Sequence, residues 1–223
     1  TRFYTEKCEA MRNFANKIWN ASRFVMMNLT IDRCTLPGRD QLAAEDKWVL
    51  SKLNTLIKEV TENLDSYEIG VASAKVYDFI WDTYCDWYIE LTKTRLNGED
   101  EQAKLTAQNV LCYVLTQLLK LLHPFMPFIT EEIFQALPHE GDFIMTSRWP
   151  EYRPELSFPE EESAMEAVMD TIKAIRTRRA EMNVPPSKKA EFFNDTATTE
   201  IYTQGLHFLE RLAYASSVTF SQT

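Results

Sequence analysis

The sequence predicts a mainly α protein, in which a bundle of long helices is followed by a small α+β appendage. Apolar residues recur at steps of three and four through most of the chain, which is the period of an amphipathic helix. Only five glycines occur in 223 residues, and most prolines lie at or beyond Pro124. The first half therefore has few turn residues, which favours long helices over a many-stranded sheet.

The apolar pattern predicts five helices in the first part of the chain. They cover residues 5–29, 41–64, 67–96, 101–122 and 129–137. The third is the longest and carries many aromatic residues between positions 77 and 88. Because these rings face several directions around the helix, we interpret it as a buried central element. A platform on which nucleic-acid bases stack is the alternative.

Domain boundaries follow from a change in composition. Residues 1–137 are predicted to form the helical bundle. Residues 138–159 hold four prolines and are predicted to form a linker that runs across the bundle. Residues 160–223 are predicted to form a small α+β domain. Its expected order is a helix over residues 160–182, a strand over 189–193, a helix over 203–214 and a strand over 217–221.

No arrangement of residues typical of catalysis or metal binding is found in the sequence. It contains no glycine-rich phosphate loop, no GxSxG and no HExxH. Its four cysteines form no CxxC pair, and with only three histidines no zinc-site spacing can be assembled. We therefore expect no catalytic residues and no metal site, and interpret the cysteines as buried, reduced thiols of a cytosolic protein. The sequence shows neither a signal peptide nor a run of 18 apolar residues, so a soluble, cytoplasmic protein is expected.

The formal net charge of −9 argues against nucleic-acid binding only if the charge is evenly spread. It is not. Residues 1–35 hold six basic and three acidic residues, and residues 171–189 hold six basic residues and one acidic residue. The sequence therefore permits two local basic surfaces on an acidic protein.

The first predicted helix carries a polar stripe opposite its apolar side. Arg12, Asn16, Asn20 and Arg23 follow one another at steps of four, four and three. Asparagine destabilises a helix interior by roughly half a kcal/mol relative to alanine, so two of them in mid-helix call for an explanation. The amides could satisfy carbonyls of a neighbouring loop. Alternatively, amides and guanidiniums could read unpaired bases and hold phosphates.

Further candidate RNA contacts lie beside this stripe and in a second basic segment. Asn13 and Lys17 flank the stripe on the first helix. Arg176 and Arg179 lie near the end of the predicted helix over residues 160–182. Basic residues there also complement the helix dipole, so a plain solvated surface is the alternative to phosphate contact.

Four segments resemble the anticodon-binding region of valyl-tRNA synthetases, which are class I aminoacyl-tRNA synthetases. The first is RNFANKIWNASRF at residues 12–24, and the second is FIWDTYCDWYIE at residues 79–90. The third, LHPFMPFITEE at residues 122–132, is shared with related class I synthetases. The fourth is IRTRRAEMNVPP at residues 175–186. The first and last segments point to valine, and residues 192–203 are more polar than the family leads us to expect.

The resemblance implies a class I anticodon-binding helical bundle whose partner is the anticodon arm of a valine tRNA. Such a fragment would position the tRNA for aminoacylation by a catalytic domain that this sequence lacks, as it lacks the family's editing domain and C-terminal coiled coil. ATP would then bind the parent valine-tRNA ligase and not this fragment, which is expected to be a monomer. Two rival interpretations stay open: the same domain from an isoleucyl, leucyl or methionyl enzyme, or a helical protein-interaction scaffold without RNA binding.

Overall fold

The computed structural model describes residues 4–185, 188, 190–194 and 199–220, and the prediction of a mainly α protein is confirmed. The chain divides into two compact units, Thr1–Ser157 and Phe158–Thr223. The helices of the first unit are α1 (Thr5–Asn28), α2 (Ala44–Asp65), α3 (Ile69–Asp78), a π-helical segment (Phe79–Tyr88), α4 (Ile89–Leu96), α5 (Glu101–Leu122) and α6 (Pro127–Ala136).

The core of the first unit is built around α5, which contacts α1, α2, α3, α4 and α6. Asp100 caps its first turn by accepting the backbone N–H groups of Gln102 and Ala103. Length and composition alone would let α5 cross a membrane, but 67% of its most apolar stretch is buried inside the protein. The central helix of a bundle meets the same criteria.

The third predicted helix is continuous but irregular in the middle. Its ten central residues, Phe79–Tyr88, form a π-helix between α3 and α4. Tyr84 and Tyr88 are buried there, and the Tyr84 hydroxyl donates to the carbonyl of Leu111 on α5 at 3.1 Å. The interpretation of this helix as a core element is therefore correct for its buried rings. Trp81 and Trp87 remain half-buried at its surface.

A buried cluster of charges joins α2 to α4. Both guanidinium NH2 groups of Arg95 donate to the carboxylate of Asp46, at 2.8 and 2.6 Å, and the Tyr88 hydroxyl donates to the same group at 2.7 Å. Glu45 lies 2.8 Å from Arg95 Nε, although the Nε–H group does not point at it. Burial outweighs the attraction of Arg95 and raises the pKa of Glu45 to about 7.

Side-chain amides fasten two irregular segments to the helices. The side-chain oxygen of Gln108 on α5 accepts a hydrogen bond of 3.1 Å from the backbone N–H of Thr30, which lies in the connection between α1 and α2. On α2, the side-chain amide of Asn54 forms two hydrogen bonds of 2.8 Å with the backbone of Arg153. Its oxygen accepts from the Arg153 N–H, and its NH2 group donates to the Arg153 carbonyl. Of the predicted linker over residues 138–159, residues 138–157 belong to the first compact unit, which ends at Ser157.

The second unit contains α7 (Pro159–Glu181), β1 (Ala190–Asn194), α8 (Thr199–Leu212) and β2 (Ala215–Phe220). The two strands pair in parallel, and α8 is the connection between them. Gly205 lets α8 approach α7 closely, because a Cβ atom there would lie 2.6 Å from a methyl carbon of Val168. Of the unusual segment over residues 192–203, residues 195–198 lie outside those described.

Candidate nucleic-acid interface

The outer face of α1 carries the predicted polar stripe. Apolar packing decides this orientation, since Phe14, Ile18 and Val25 on the opposite side are buried. The stripe therefore faces solvent, and all four of its side chains are exposed: Arg12, Asn16, Asn20 and Arg23. None of the four forms a hydrogen bond or an ion pair with any residue that the structure describes.

Other asparagines of the protein show what an amide with a structural role looks like. Asn109 accepts the N–H of Thr35 at 2.9 Å and donates to the carbonyl of Leu105. Asn54 holds Arg153 in the same two-sided manner. Asn16 and Asn20 form no such bond within the described residues. The interpretation that they satisfy a neighbouring loop therefore has no support in the structure.

The two flanking residues of the stripe differ from each other. Asn13 is exposed and forms no hydrogen bond to a described residue. The Lys17 ammonium lies 2.7 Å from the carboxylate of Asp86 and 3.7 Å from the centre of the Trp81 ring. Lys17 thus ties α1 to the π-helical segment, and its charge is already paired. The predicted contact of Lys17 with RNA stays a prediction.

Aromatic rings extend the contact between α1 and the third helix. Phe14 packs against Tyr77 with 4.5 Å between ring centroids, and Tyr77 stacks on Trp81 at 5.8 Å and 11°. Lys17 then covers Trp81. The position of α1, and with it the direction of the polar stripe, is held by a continuous series of ring and ion contacts.

The basic residues of α7 do not behave as one surface. Arg179 is only 6% exposed, and its guanidinium donates to the carbonyls of Pro185, Lys188 and Tyr214. Arg179 thus fastens the chain after α7 to the chain after α8, and its predicted contact with tRNA stays a prediction. Arg176 is exposed, yet its Nε–H donates to the carbonyl of Leu212 at 2.7 Å.

Across the described residues, no three His, Cys, Asp or Glu side chains stand close enough together to hold a metal ion. One groove of the first unit, with a volume of about 610 Å³, is lined mainly by apolar side chains. Its lining includes Met11, Phe14, Tyr77, Leu122 and Phe125, with Asp78 as its charged residue.

Comparison with known protein families identifies the family to which this chain is similar. Residues 46–193 match the model of a family described as the anticodon-binding domain of tRNA ligase. The chain belongs to this family. The matched residues of this anticodon-binding domain cover α2 to α7 and continue into β1, while α1 precedes them.

The anticodon-binding domain is also similar to part of several valine–tRNA ligases. It is 52% identical to that of Clostridium acetobutylicum over 224 residues, and 53% identical to that of Clostridium tetani. Each match covers 98% of this chain and 25% of the relative, so it takes in α1. The enzyme of Bacillus subtilis is 49% identical over 203 residues, 90% of this chain and 23% of the relative. The chain thus spans about a quarter of the length of the relatives it matches.

Proposed function

We propose that this chain binds the anticodon arm of a valine tRNA through the outer face of α1. The observation that carries the proposal is the set of four exposed side chains on that face, Arg12, Asn16, Asn20 and Arg23, which have no partner among the described residues. Membership of an anticodon-binding family indicates that the ligand is a tRNA, and the names of the relatives indicate that it is the tRNA for valine.

The side-chain chemistry of the face suits an unpaired loop. A carboxamide carries a donor and an acceptor side by side, so Asn16 and Asn20 can pair with the exposed edge of a base. Single-stranded loops present such edges, whereas the deep groove of an RNA duplex hides them. Arg12 and Arg23 supply charge for the phosphates, which position the loop without reading its sequence.

The electrostatics of the face support the same ligand despite the acidic chain. Lys17 is neutralised by Asp86, so the excess charge near the stripe comes from Arg12 and Arg23. A few cations on a face attract a polyanion locally even when the net charge is −9. Two arginines provide few phosphate contacts, so we expect weak binding whose affinity falls only modestly as salt rises.

Aminoacylation and ATP use are assigned here to the three quarters of the relatives that this chain does not span. The proposed role of the chain is to hold the anticodon arm, as a monomer in the bacterial cytoplasm, while the tRNA acceptor end reaches the catalytic domain of the parent enzyme. No catalytic step is attributed to the residues of this chain.

A binding titration with RNA stem–loops tests the proposal. The full chain is titrated with the anticodon stem–loop of a valine tRNA, and with the same stem–loop carrying an isoleucine or methionine anticodon, at several salt concentrations. We expect tighter binding of the valine loop and a linear fall of log affinity with log salt. Equal affinity for all three loops would overturn the assignment to valine.

The same titration separates RNA binding from a role as a protein-interaction scaffold. An Arg12→Gln variant should reduce the salt slope by about 0.7, the contribution of one phosphate contact on a single strand. Arg33→Gln, on the connection after α1, is the matched control, because Arg33 is also exposed but lies outside the stripe. A scaffold without RNA function would bind none of the stem–loops, or bind them with an affinity that neither salt nor Arg12→Gln changes.

A further inference from the structure

One exposed tryptophan lies within the outer face of α1. The Trp19 side chain is 39% exposed, whereas Trp48 is buried at 2%. Trp19 follows Asn16 by three residues and precedes Arg23 by four, which places all three on adjoining turns of one side of the helix. The large aromatic surface therefore lies between an amide and a guanidinium.

Trp19 differs from two other tryptophans in the contacts that it makes with the described residues. Trp81 is stacked on Tyr77 and covered by Lys17, and the indole N–H of Trp149 donates to the hydroxyl of Thr61 at 2.9 Å. Trp19 has no ring contact, cation contact or hydrogen bond to any described residue. A large exposed ring without such partners, in the middle of a polar face, points to an external one.

We propose that Trp19 is the surface on which an unpaired base of the bound RNA loop stacks. This inference rests on the proposed function and adds a residue to its site. With a base against the indole, the amide of Asn16 lies one turn away on one side and can meet the base edge. Arg23 lies one turn away on the other side and can meet the adjacent phosphate.

Stacking explains how so few charges could hold an RNA loop on an acidic protein. Every base has an apolar face, so a tryptophan adds affinity that does not depend on counterion release. Such an interaction typically changes affinity by about tenfold for each base stacked. The amides then discriminate between bases that the ring has already positioned.

The test compares variants of Trp19 in the full chain. Trp19→Ala should weaken binding of the valine anticodon stem–loop about tenfold, and Trp19→Phe should retain most of the affinity, because a phenyl ring still stacks. Trp19→Leu keeps an apolar side chain of considerable size without an aromatic face and should bind as weakly as Trp19→Ala. The salt slope should stay unchanged in all three, since no charge is removed.

The matched control is Tyr152→Ala. Tyr152 is 45% exposed and lies beside Lys58 of α2, with 6.0 Å from the Lys58 ammonium to its ring centre. Removing this ring should leave RNA affinity as it is. A loss equal to that of Trp19→Ala would overturn the proposal, because it would show that loss of any exposed ring has the same effect.

Stem–loops that lack a single base identify the stacking partner. When the stacked base is absent, the full chain and its Trp19→Ala variant should bind with equal affinity. Salt-dependent binding by the unaltered chain, together with undiminished binding by Trp19→Ala, would overturn the inference and leave the proposed function standing. Failure of the unaltered chain to bind RNA would overturn both.

Discussion

Lys17 on α1 and Asp86 in the π-helical segment form an ion pair at 2.7 Å, with the Lys17 ammonium also 3.7 Å from the Trp81 ring centre. The pair is partly exposed, so its contribution to stability is small. Its significance lies in geometry, because it connects the helix that carries the polar stripe to the longest helix of the bundle.

Lys17→Gln is expected to change the salt slope of RNA binding by much less than 0.7, the value for one phosphate contact. The reason is that the charge is already paired with Asp86. The measurement is the same titration across salt concentrations, with Arg12→Gln as the variant that does lower the slope. A full reduction by Lys17→Gln would show that Lys17 leaves Asp86 and binds a phosphate.

Asn16→Ala combined with Asn20→Ala is expected to stabilise the chain while weakening RNA binding. Each asparagine lies in mid-helix without a described partner, so its replacement removes a helix penalty of about half a kcal/mol. The two together should raise the melting temperature by about 2–4 °C. Thermal unfolding and a binding titration on the same samples check both effects. Lower stability in the double variant would assign the amides a structural role.

The contribution of Glu45 to the free energy of unfolding is expected to fall as pH rises from about 4.5 to 7. Burial raises the pKa of Glu45 from 4.5 in an unfolded chain to about 7 in the folded one. Between these values the folded chain keeps a proton that the unfolded chain has lost, which disfavours folding increasingly as pH rises. The full effect is on the order of 3 kcal/mol.

Denaturant unfolding between pH 4.5 and 8 measures this dependence. Glu45→Gln should flatten the fall in the free energy of unfolding, because the neutral amide has no proton to keep. The control is Glu62→Gln on the same helix, whose carboxylate is exposed and pairs only loosely with Lys58 at 4.0 Å. Identical pH profiles for the unaltered chain and Glu45→Gln would show that Glu45 titrates normally.

Arg179→Met is expected to destabilise the second unit without altering the salt slope of RNA binding. It removes the donor to three backbone carbonyls, at a cost of about 2 kcal/mol. Faster hydrogen exchange in β1 and β2 would report the loss. Arg178→Met, one residue earlier and paired at the surface with Glu181, should leave exchange unchanged. A lower salt slope in Arg179→Met would show that Arg179 contacts a phosphate of the RNA, as predicted.

The helices of the bundle could be predicted from the sequence because their apolar period is set by the core. The prediction for residues 101–122 coincides with α5, and that for residues 5–29 differs from α1 by one residue. The exposure of the stripe followed from the same pattern, since the side opposite Phe14 and Ile18 faces solvent. Local periodicity contains this information.

Features that depend on distant parts of the chain could not be predicted. The apolar pattern of residues 67–96 does not reveal that ten of them form a π-helix. Arg178 and Arg179 are adjacent in sequence, and only the return of the chain after α8 decides that Arg179 turns inward. Asp46 and Arg95 lie 49 residues apart, and no short motif connects them.

Trp19 shows how a signal in the sequence can be overlooked. The many rings of the third helix made it a candidate stacking platform, yet most of those rings are packed against neighbours. A single tryptophan three residues after one asparagine and one residue before another was the more informative pattern. Its significance became visible only once its exposure was known.

The one-sided packing of α1 has an evolutionary consequence. Its inward side chains pack into the core of the bundle, while the four side chains of the stripe form no hydrogen bond or ion pair with any described residue. Outward residues can therefore be substituted during evolution without compensating changes in the core. A scaffold of this kind is suited to acquiring new ligand preferences by surface substitution alone.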